Sequence, residues 1–215
     1  MVNILLADDH DVVRRGLRDM LNSHAGWQVC GEASDGREAV KLALSLKPDV
    51  VVLDLSMPEL NGLEATRQIR HELPHTEVLI FTMHETESLI REVLAAGARG
   101  YVLKSDAGRH LITAVESLSH HKPFFTARVS EALLDAYLKS SSKPDEGSVF
   151  RTLTAREREI VQMLAEGKSN KEIATKLSIS VKTVETHRAT VMRKLDINSI
   201  VELVHYAIRN QLVEA

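Results

Sequence analysis

The sequence predicts a parallel α/β sheet followed by a small all-helical domain, and three observations carry that prediction. Over the first ~120 residues, short β-branched runs alternate with segments of helical periodicity, the pattern of consecutive βαβ units. After the polar, aperiodic stretch Ser140 to Gly147, only helical patterns remain. Charge divides at the same place: Met1 to Phe150 holds 16 Lys+Arg against 22 Asp+Glu, net -6, and Arg151 to Ala215 holds 11 against 8, net +3. Two modules with different partners follow from that asymmetry.

The 215 residues suffice for two ordinary domains with adequate cores, and 44% hydrophobic with 27% charged residues is the composition of a soluble globular protein. The N-terminal apolar run is only Ile4 to Ala7 before Asp8 and Asp9 interrupt it, so no targeting segment is visible. No apolar run approaches the ~20 residues of a membrane helix. A single cysteine, Cys30, excludes an internal disulfide and reads as a small core residue. The expected setting is the cytoplasm.

The first strand is Val2 to Ala7, and Val12, Val13, Leu17, Met20 and Leu21 then fall at helical spacing. Val29 to Ala33 is a second strand; Asp35 and Glu38 form a capping pair for the helix that Pro48 ends. Val50 to Leu53 is a continuous apolar run suited to a strand buried on both faces. Asn61 and Glu64 cap a helix reaching about Glu72, and Val78 to Phe81 is a fourth strand ending at Thr82. A helix from about Glu85 to Ala95, a turn at Gly97 to Gly100, a fifth strand from Tyr101 to Leu103 and a helix from about Asp106 to Leu118 complete the module.

Alone, Asp54 after its apolar run would be a turn or helix-cap residue. The other strand ends change that reading: Asp8 and Asp9 follow the first strand, Thr82 ends the fourth and Lys104 follows the fifth. In a parallel sheet these ends share one edge, where such folds place their ligands. Three carboxylates in one crevice repel one another unless a cation joins them, and an all-oxygen donor set suits Mg²⁺. With a hydroxyl and an ammonium beside them, the set describes phosphorylation of a carboxylate, Asp54 attacking while Thr82 and Lys104 hold phosphoryl oxygens.

Asp8-Asp9, Asp54, Met57-Pro58, Asn61-Gly62, Thr82 and Gly100 to Lys104 resemble the receiver domain of bacterial two-component response regulators. The resemblance implies a five-stranded flavodoxin-like sheet of order 2-1-3-4-5, doubly wound. It further implies a sensor histidine kinase as phosphodonor, and a Mg²⁺ site made by Asp9, Asp54 and the main-chain carbonyl of Ser56 with Asp8 nearby. Thr82 and Tyr101 are then the switch residues. Ser56 and His84 occupy positions that vary among relatives and bear on phosphate lifetime.

Between the modules, Ala127 to Leu138 carries a helical pattern and Ser140 to Gly147 has a linker composition. The adjacent pair His120 and His121 does not share a helix face and reads as solvated surface, not a metal site. In the second module Thr154 with Glu157 and Ser169 with Glu172 form capping boxes, and Gly167 stops the first helix. The turn Ser178 to Ser180 leads into a helix from Val181 to Leu195 with Val184, Val191 and Leu195 inward, and Asn198 to Asn210 is a fourth helix. Two short helices joined by a tight turn predict a helix-turn-helix. Opposite the apolar stripe of its second helix lie Lys182, Glu185, Thr186, Ala189 and Arg193, flanked by Thr183, His187, Arg188, Thr190 and Lys194. The cations suit DNA phosphates, and Glu185, Thr186 and Ala189 suit base edges.

Leu153 to Glu159, Lys171 to Ala174 and Val181 to His187 resemble the LuxR-type DNA-binding domain, and with the receiver the chain is similar to the NarL/FixJ response regulators. That resemblance implies pairing of two DNA-binding modules through the last helix, with Ile200, Leu203, Val204, Ala207 and Ile208 as its apolar face. The expected division is receiver 1–122, linker helix and linker 123–149, and DNA-binding domain 150–215. The function expected is transcriptional regulation through DNA binding controlled by phosphorylation of Asp54, with a second copy of the chain and double-stranded DNA as partners, RNA polymerase as a further one, and no membrane. Two other readings stand beside it: a DNA-binding regulator indifferent to phosphorylation, and a Mg²⁺-dependent aspartyl phosphohydrolase. The latter commonly needs a second acid two residues after the nucleophile, where this chain has Ser56.

Overall fold

The structure is a computed structural model that describes residues 1–131, 134, 153–210 and 212–213. Its first domain is a parallel sheet of order β2-β1-β3-β4-β5-β6, formed by β1 (Val2–Ala7), β2 (Trp27–Ala33), β3 (Val50–Leu53), β4 (Glu77–Thr82), β5 (Gly100–Leu103) and β6 (Phe124–Phe125). The five expected strands and their order are present. The two-residue β6 is an addition: it pairs Phe124 with Gly100 and Phe125 with Tyr101, too short a segment to show alternation in sequence.

Helices cover both faces because the strands are apolar on both. Ile4, Leu6, Val50, Val52, Leu79, Phe81 and Val102 pack against Leu17 and Leu21 of α1 (Asp11–Asn22) and Leu111, Val115 and Leu118 of α5 (Ala107–Ser119). The alternate residues, Leu5, Ala7, Val51, Leu53, Val78, Ile80 and Tyr101, face α2 (Gly36–Leu46), α3 (Gly62–Glu72) and α4 (Glu87–Ala95). The period of two thus divides every strand between two cores. α4 begins at Glu87, later than the expected start at Glu85, because Thr86 is the cap and accepts from the Leu89 amide.

The second domain contains α6 (Ala155–Ala165), α7 (Asn170–Lys176), α8 (Val181–Leu195) and α9 (Ile200–Arg209). Thr154 with Glu157, Ser169 with Glu172 and Ser199 with Glu202 form reciprocal capping boxes, the last of them not anticipated from sequence. Leu177 to Ser180 joins α7 to α8, with Ser178 in the left-handed region at φ 53°. Between the domains, residues 127–131 and 134 are helical; the rest of the expected helix to Leu138 and the Ser140 to Gly147 linker lie outside the described residues.

The domains pack against each other through α6, which lies on the loop after β3 and on α3. Gln162 is 1% exposed there; its Oε1 accepts from the Asn61 amide at 2.8 Å and its Nε2 donates to the Met57 carbonyl at 2.8 Å. Glu64 is 1% exposed and accepts from both Arg67 of its own helix and Arg158 of α6. Asn61 caps α3 by accepting from the Glu64 amide, as expected, but the Glu64 carboxylate serves this interdomain pairing instead of reaching back to the cap. Arg37 and Gln68 add contacts to Glu159 at 3.4 and 3.1 Å.

Glu92 of α4 belongs to the same charged cluster. Burial pushes its carboxyl up to about 7, with Arg67 and then Arg158 pulling it part of the way back. A folded value above the usual 4.5 means that ionised Glu92 weakens the folded state above pH 7, and that this is relieved as pH falls. Glu92→Gln is therefore expected to stabilise the protein at pH 8 by about 1 kcal/mol, a figure discounted for solvent screening of a half-exposed group. The gain should shrink as pH is lowered through 7 toward 5, as urea melts at several pH values would read.

Candidate phosphoacceptor site and DNA-reading surface

Asp54 directly follows β3, held by its amide donating to the Ala7 carbonyl at 2.8 Å, and its side chain is nearly inaccessible at 2% exposure. Asp8 is buried beside it, whereas the Asp9 side chain keeps 33% exposure. The register that pairs Ala7 with Leu53 and Thr82 with Leu103 brings these residues, Thr82 and Lys104 to one edge. Ligand atoms of Asp8, Asp9, His10 and Asp54 lie within 4.8 Å of one another. His10 joins the set without a signal in the sequence: its Nδ1 sits 2.7 Å from Asp9 Oδ1 and 3.3 Å from Asp8 Oδ1, an arrangement that only the turn into α1 creates.

Lys104 departs from the expectation of a lysine free to hold an anion. Its Nζ lies 2.8 Å from Asp54 Oδ2 and 2.8 Å from Asp8 Oδ2, because a buried ammonium is drawn to the two carboxylates that most need it. Burial pulls the Lys104 ammonium down, and Asp54 with Asp8 more than offset this, leaving it raised. Burial pushes Asp54 up to about 6, Lys104 lowering it and Asp8 raising it. The carboxylate therefore carries an electrostatic load that one lysine does not discharge. Three carboxylates against one ammonium leave charge for a divalent cation, and the oxygen-rich donor set fits Mg²⁺ in kind.

The two residues expected to act as the switch form a connected chain. Thr82 is fully buried and its Oγ1 accepts from the His84 amide at 3.2 Å; Tyr101 is fully buried with its hydroxyl donating to the His84 carbonyl. The His84 ring in turn meets Ser56 Oγ at 3.3 Å, so the two variable positions touch across the pocket mouth. Burial first, then Glu85, raises the Tyr101 phenol well above its ordinary value.

On α8, Lys182, Glu185, Thr186, Ala189, Arg193 and Lys194 are exposed, while Thr183, His187, Arg188 and Thr190 are half-buried. Two of these are already engaged. Thr183 shares the Ser180 cap, and Lys194 pairs with Glu157 at 2.7 Å, so Lys194 belongs to the fold of the domain as much as to its outward face. On α9, Leu203 and Ala207 are fully buried in the domain core, which corrects their assignment to a dimer face: four helices this short need both to close the core. The apolar strip left outside is Ile200 at 39% and Val201 at 59% exposure, with Val204 and Ile208 partly covered. His121 contacts Glu77 at 3.0 Å and takes no part in a metal cluster among the described residues.

Residues 4–116 match the response regulator receiver domain family, and residues 151–207 match the luxR family of bacterial regulatory proteins. The chain belongs to the two-component response regulators with a LuxR-type DNA-binding domain. It is a transcription regulator of NarL type and not a conventional enzyme. It is 40% identical to the oxygen regulatory protein NreC of Staphylococcus epidermidis, over 99% of this chain and all of that one. Among solved structures it is similar to ChrA, the response regulator in a heme-sensing two-component system, at 35% identity and a TM-score of 0.52 over 99% of this chain and 98% of that one. RcsB of Salmonella enterica serovar Typhimurium, solved on promoter DNA with a phosphomimetic, matches at 28% identity and a TM-score of 0.60 over 95% of this chain and 97% of that one. None of the helices among the described residues is long and apolar enough to cross a membrane.

Proposed function

We propose that a sensor histidine kinase phosphorylates Asp54 and that this controls dimerisation and sequence-specific DNA binding by α8. The convergence of Asp54 with Asp8, Asp9, Thr82 and Lys104 at one sheet edge carries the reading. Asp8, Asp9, Asp54 and the Ser56 main-chain carbonyl would hold Mg²⁺, which offsets charge between an anionic donor and the acid pocket. Lys104 would leave one carboxylate to meet a phosphoryl oxygen, and the Thr82 hydroxyl, which accepts from the His84 amide, would donate to another phosphoryl oxygen. The added charge of about -1.5 to -2 then acts through Thr82, His84 and Tyr101 on the β4 and β5 side of the sheet.

The division at about residues 122 and 150 assigns phosphorylation to the first domain and DNA to the last. On the DNA, Lys182, Arg188 and Arg193 would meet phosphates, with Thr183 and His187 at the groove edge and Glu185, Thr186 and Ala189 against base edges. Thr186 spends its hydroxyl on the Lys182 carbonyl at 2.9 Å, leaving its methyl for apolar contact. A dimer through Ile200, Val201, Val204 and Ile208 would set two half-sites about one helical turn apart.

The test is DNA affinity of the full chain by fluorescence anisotropy at stated salt, with Mg²⁺ and with or without beryllofluoride. Affinity should tighten about tenfold, a coupling of about 1.4 kcal/mol, and only with Asp54 intact. Equal affinity in every condition would favour regulation independent of the pocket. Arg193→Ala should weaken binding to all sequences alike and reduce the slope of log K against log salt by about 1.

A further inference from the structure

Of the three carboxylates at the phosphoacceptor edge, two are each held by an amide and a lysine. Asp8 Oδ1 accepts from the His10 amide at 2.9 Å, and its Oδ2 meets Lys104 Nζ at 2.8 Å. Asp54 Oδ1 accepts from the Leu55 amide at 2.8 Å, and its Oδ2 meets the same Nζ at 2.8 Å. Asp9 has neither. Its side chain keeps 33% exposure, and among the described residues its one partner is the His10 ring, whose Nδ1 lies 2.7 Å from Oδ1.

The backbone that carries this ring is fixed. Arg14 donates to the Asp8 carbonyl at 2.6 Å, pairs with Asp11 and lies 3.5 Å from Glu32 of β2, so the turn from β1 into α1 is pinned from below. With its amide spent on Asp8, His10 also brings Nδ1 to 3.3 Å from Asp8 Oδ1. A lone pair facing two carboxylates would be repelled, so Nδ1 carries the proton whether the ring is neutral or charged. A protonated nitrogen is no metal ligand, and Mg²⁺ takes oxygen donors in any case. The ring acts on a cation through the carboxylate it holds.

We propose that His10 is a positioning residue of the cation site, its Nδ1 holding the otherwise unrestrained Asp9 carboxylate beside Asp8 and Asp54 so that a divalent cation meets a preset donor. The proposal rests on the Mg²⁺ site proposed above. A carboxylate offers about four lone-pair sites, so one contact to Nδ1 leaves Asp9 room for a cation. Without the ring, a part-exposed side chain has several rotamers open to it, and the cation must order it on binding. With the ring, that ordering is done in advance. Loss of an outer partner that holds a metal ligand commonly weakens metal affinity by about 10- to 100-fold.

Cation affinity tests this without any phosphorylation. Mn²⁺ binding to the full chain, followed through the electron paramagnetic resonance signal of the free ion with Mg²⁺ as competitor, gives a Kd for both ions in each variant. His10→Ala should weaken both by about 10-fold, whereas His10→Asn, whose side-chain amide supplies a donor in place of Nδ1, should stay within about 3-fold of the wild type. In an Asp9→Ala background, His10→Ala should change nothing further, because the group it positions is gone. The imidazole is 54% exposed, so melts of all the variants in chelator should coincide with the wild type. Affinity in His10→Ala equal to or tighter than the wild type would overturn the proposal. So would a further loss in the Asp9→Ala background, which would make the ring a ligand in its own right. A wild type that binds no Mn²⁺, or an Asp9→Ala protein that binds it like the wild type, would instead defeat the cation site itself.

Discussion

Asp54→Asn is expected to remain folded and to take no phosphate, with incorporation from a small phosphodonor falling at least about 100-fold. The amide is nearly isosteric, so the Leu55 amide that donates to Oδ1 at 2.8 Å keeps its acceptor. What disappears is the nucleophilic oxygen. The substitution also removes a charge that burial penalises, as the rise of Asp54 to about 6 records. Lys104 retains Asp8 at 2.8 Å, so no buried ammonium is stranded and stability should change by less than about 1 kcal/mol. In the wild type without a divalent cation, reactivity should fall as pH drops through about 6, because the protonated carboxyl cannot attack. A divalent cation should displace that fall to lower pH by favouring the ionised form. Mass spectrometry of the labelled chain, with hydroxylamine sensitivity as the mark of an acyl phosphate, distinguishes loss at Asp54 from transfer to Asp8 or Asp9.

The pocket is legible because strand ends are among the most readable points of a parallel α/β sequence. An apolar run of fixed length stops, and the residue that stops it lies on a known edge, so Asp8, Asp9, Asp54, Thr82 and Lys104 can be brought together from sequence. The partner that each side chain takes is not legible in the same way. Lys104 reads as a free cation in one dimension, and becomes the counter-ion of Asp54 and Asp8 only when β5 lies beside β4. Glu64 reads as half of a capping box, and its burial under Arg158 depends on a residue 94 positions away. Gln162 carries no signal at all, since a single Gln in an amphipathic helix is ordinary. Only the structure marks its surroundings: Arg158, Glu159 and Gln162 are polar residues of α6 buried against the receiver, whereas Glu157 is buried within its own domain by the Thr154 cap and Lys194. Leu203 and Ala207 show the opposite error, where helical periodicity identifies an apolar face but not which partner covers it.

Gly62→Ala should be a severely damaging conservative change in the receiver, lowering stability by about 3 kcal/mol and Tm by about 10 °C. Gly62 opens α3 with its amide donating to the Leu55 carbonyl at 2.8 Å, which folds the chain tightly back over the end of β3. A Cβ there would stand 2.0 Å from the Asp54 carbonyl oxygen and 2.8 Å from the Leu55 Cα. Both obstacles are backbone, so no rotamer relieves them, and the atom to be displaced belongs to Asp54, the proposed phosphoacceptor. Phosphorylation of whatever fraction folds should therefore be slowed as well, since a shift of about 1 Å at a reacting group costs on the order of 100-fold. Gly16 provides the internal control. It lies inside α1 with nothing within 4 Å of the place a Cβ would take, so Gly16→Ala should gain about 0.5 to 1 kcal/mol from helix propensity alone. Thermal melts of the two variants should move in opposite directions, and a Gly62→Ala protein as stable as the wild type would show that the loop after β3 yields where the packing says it cannot.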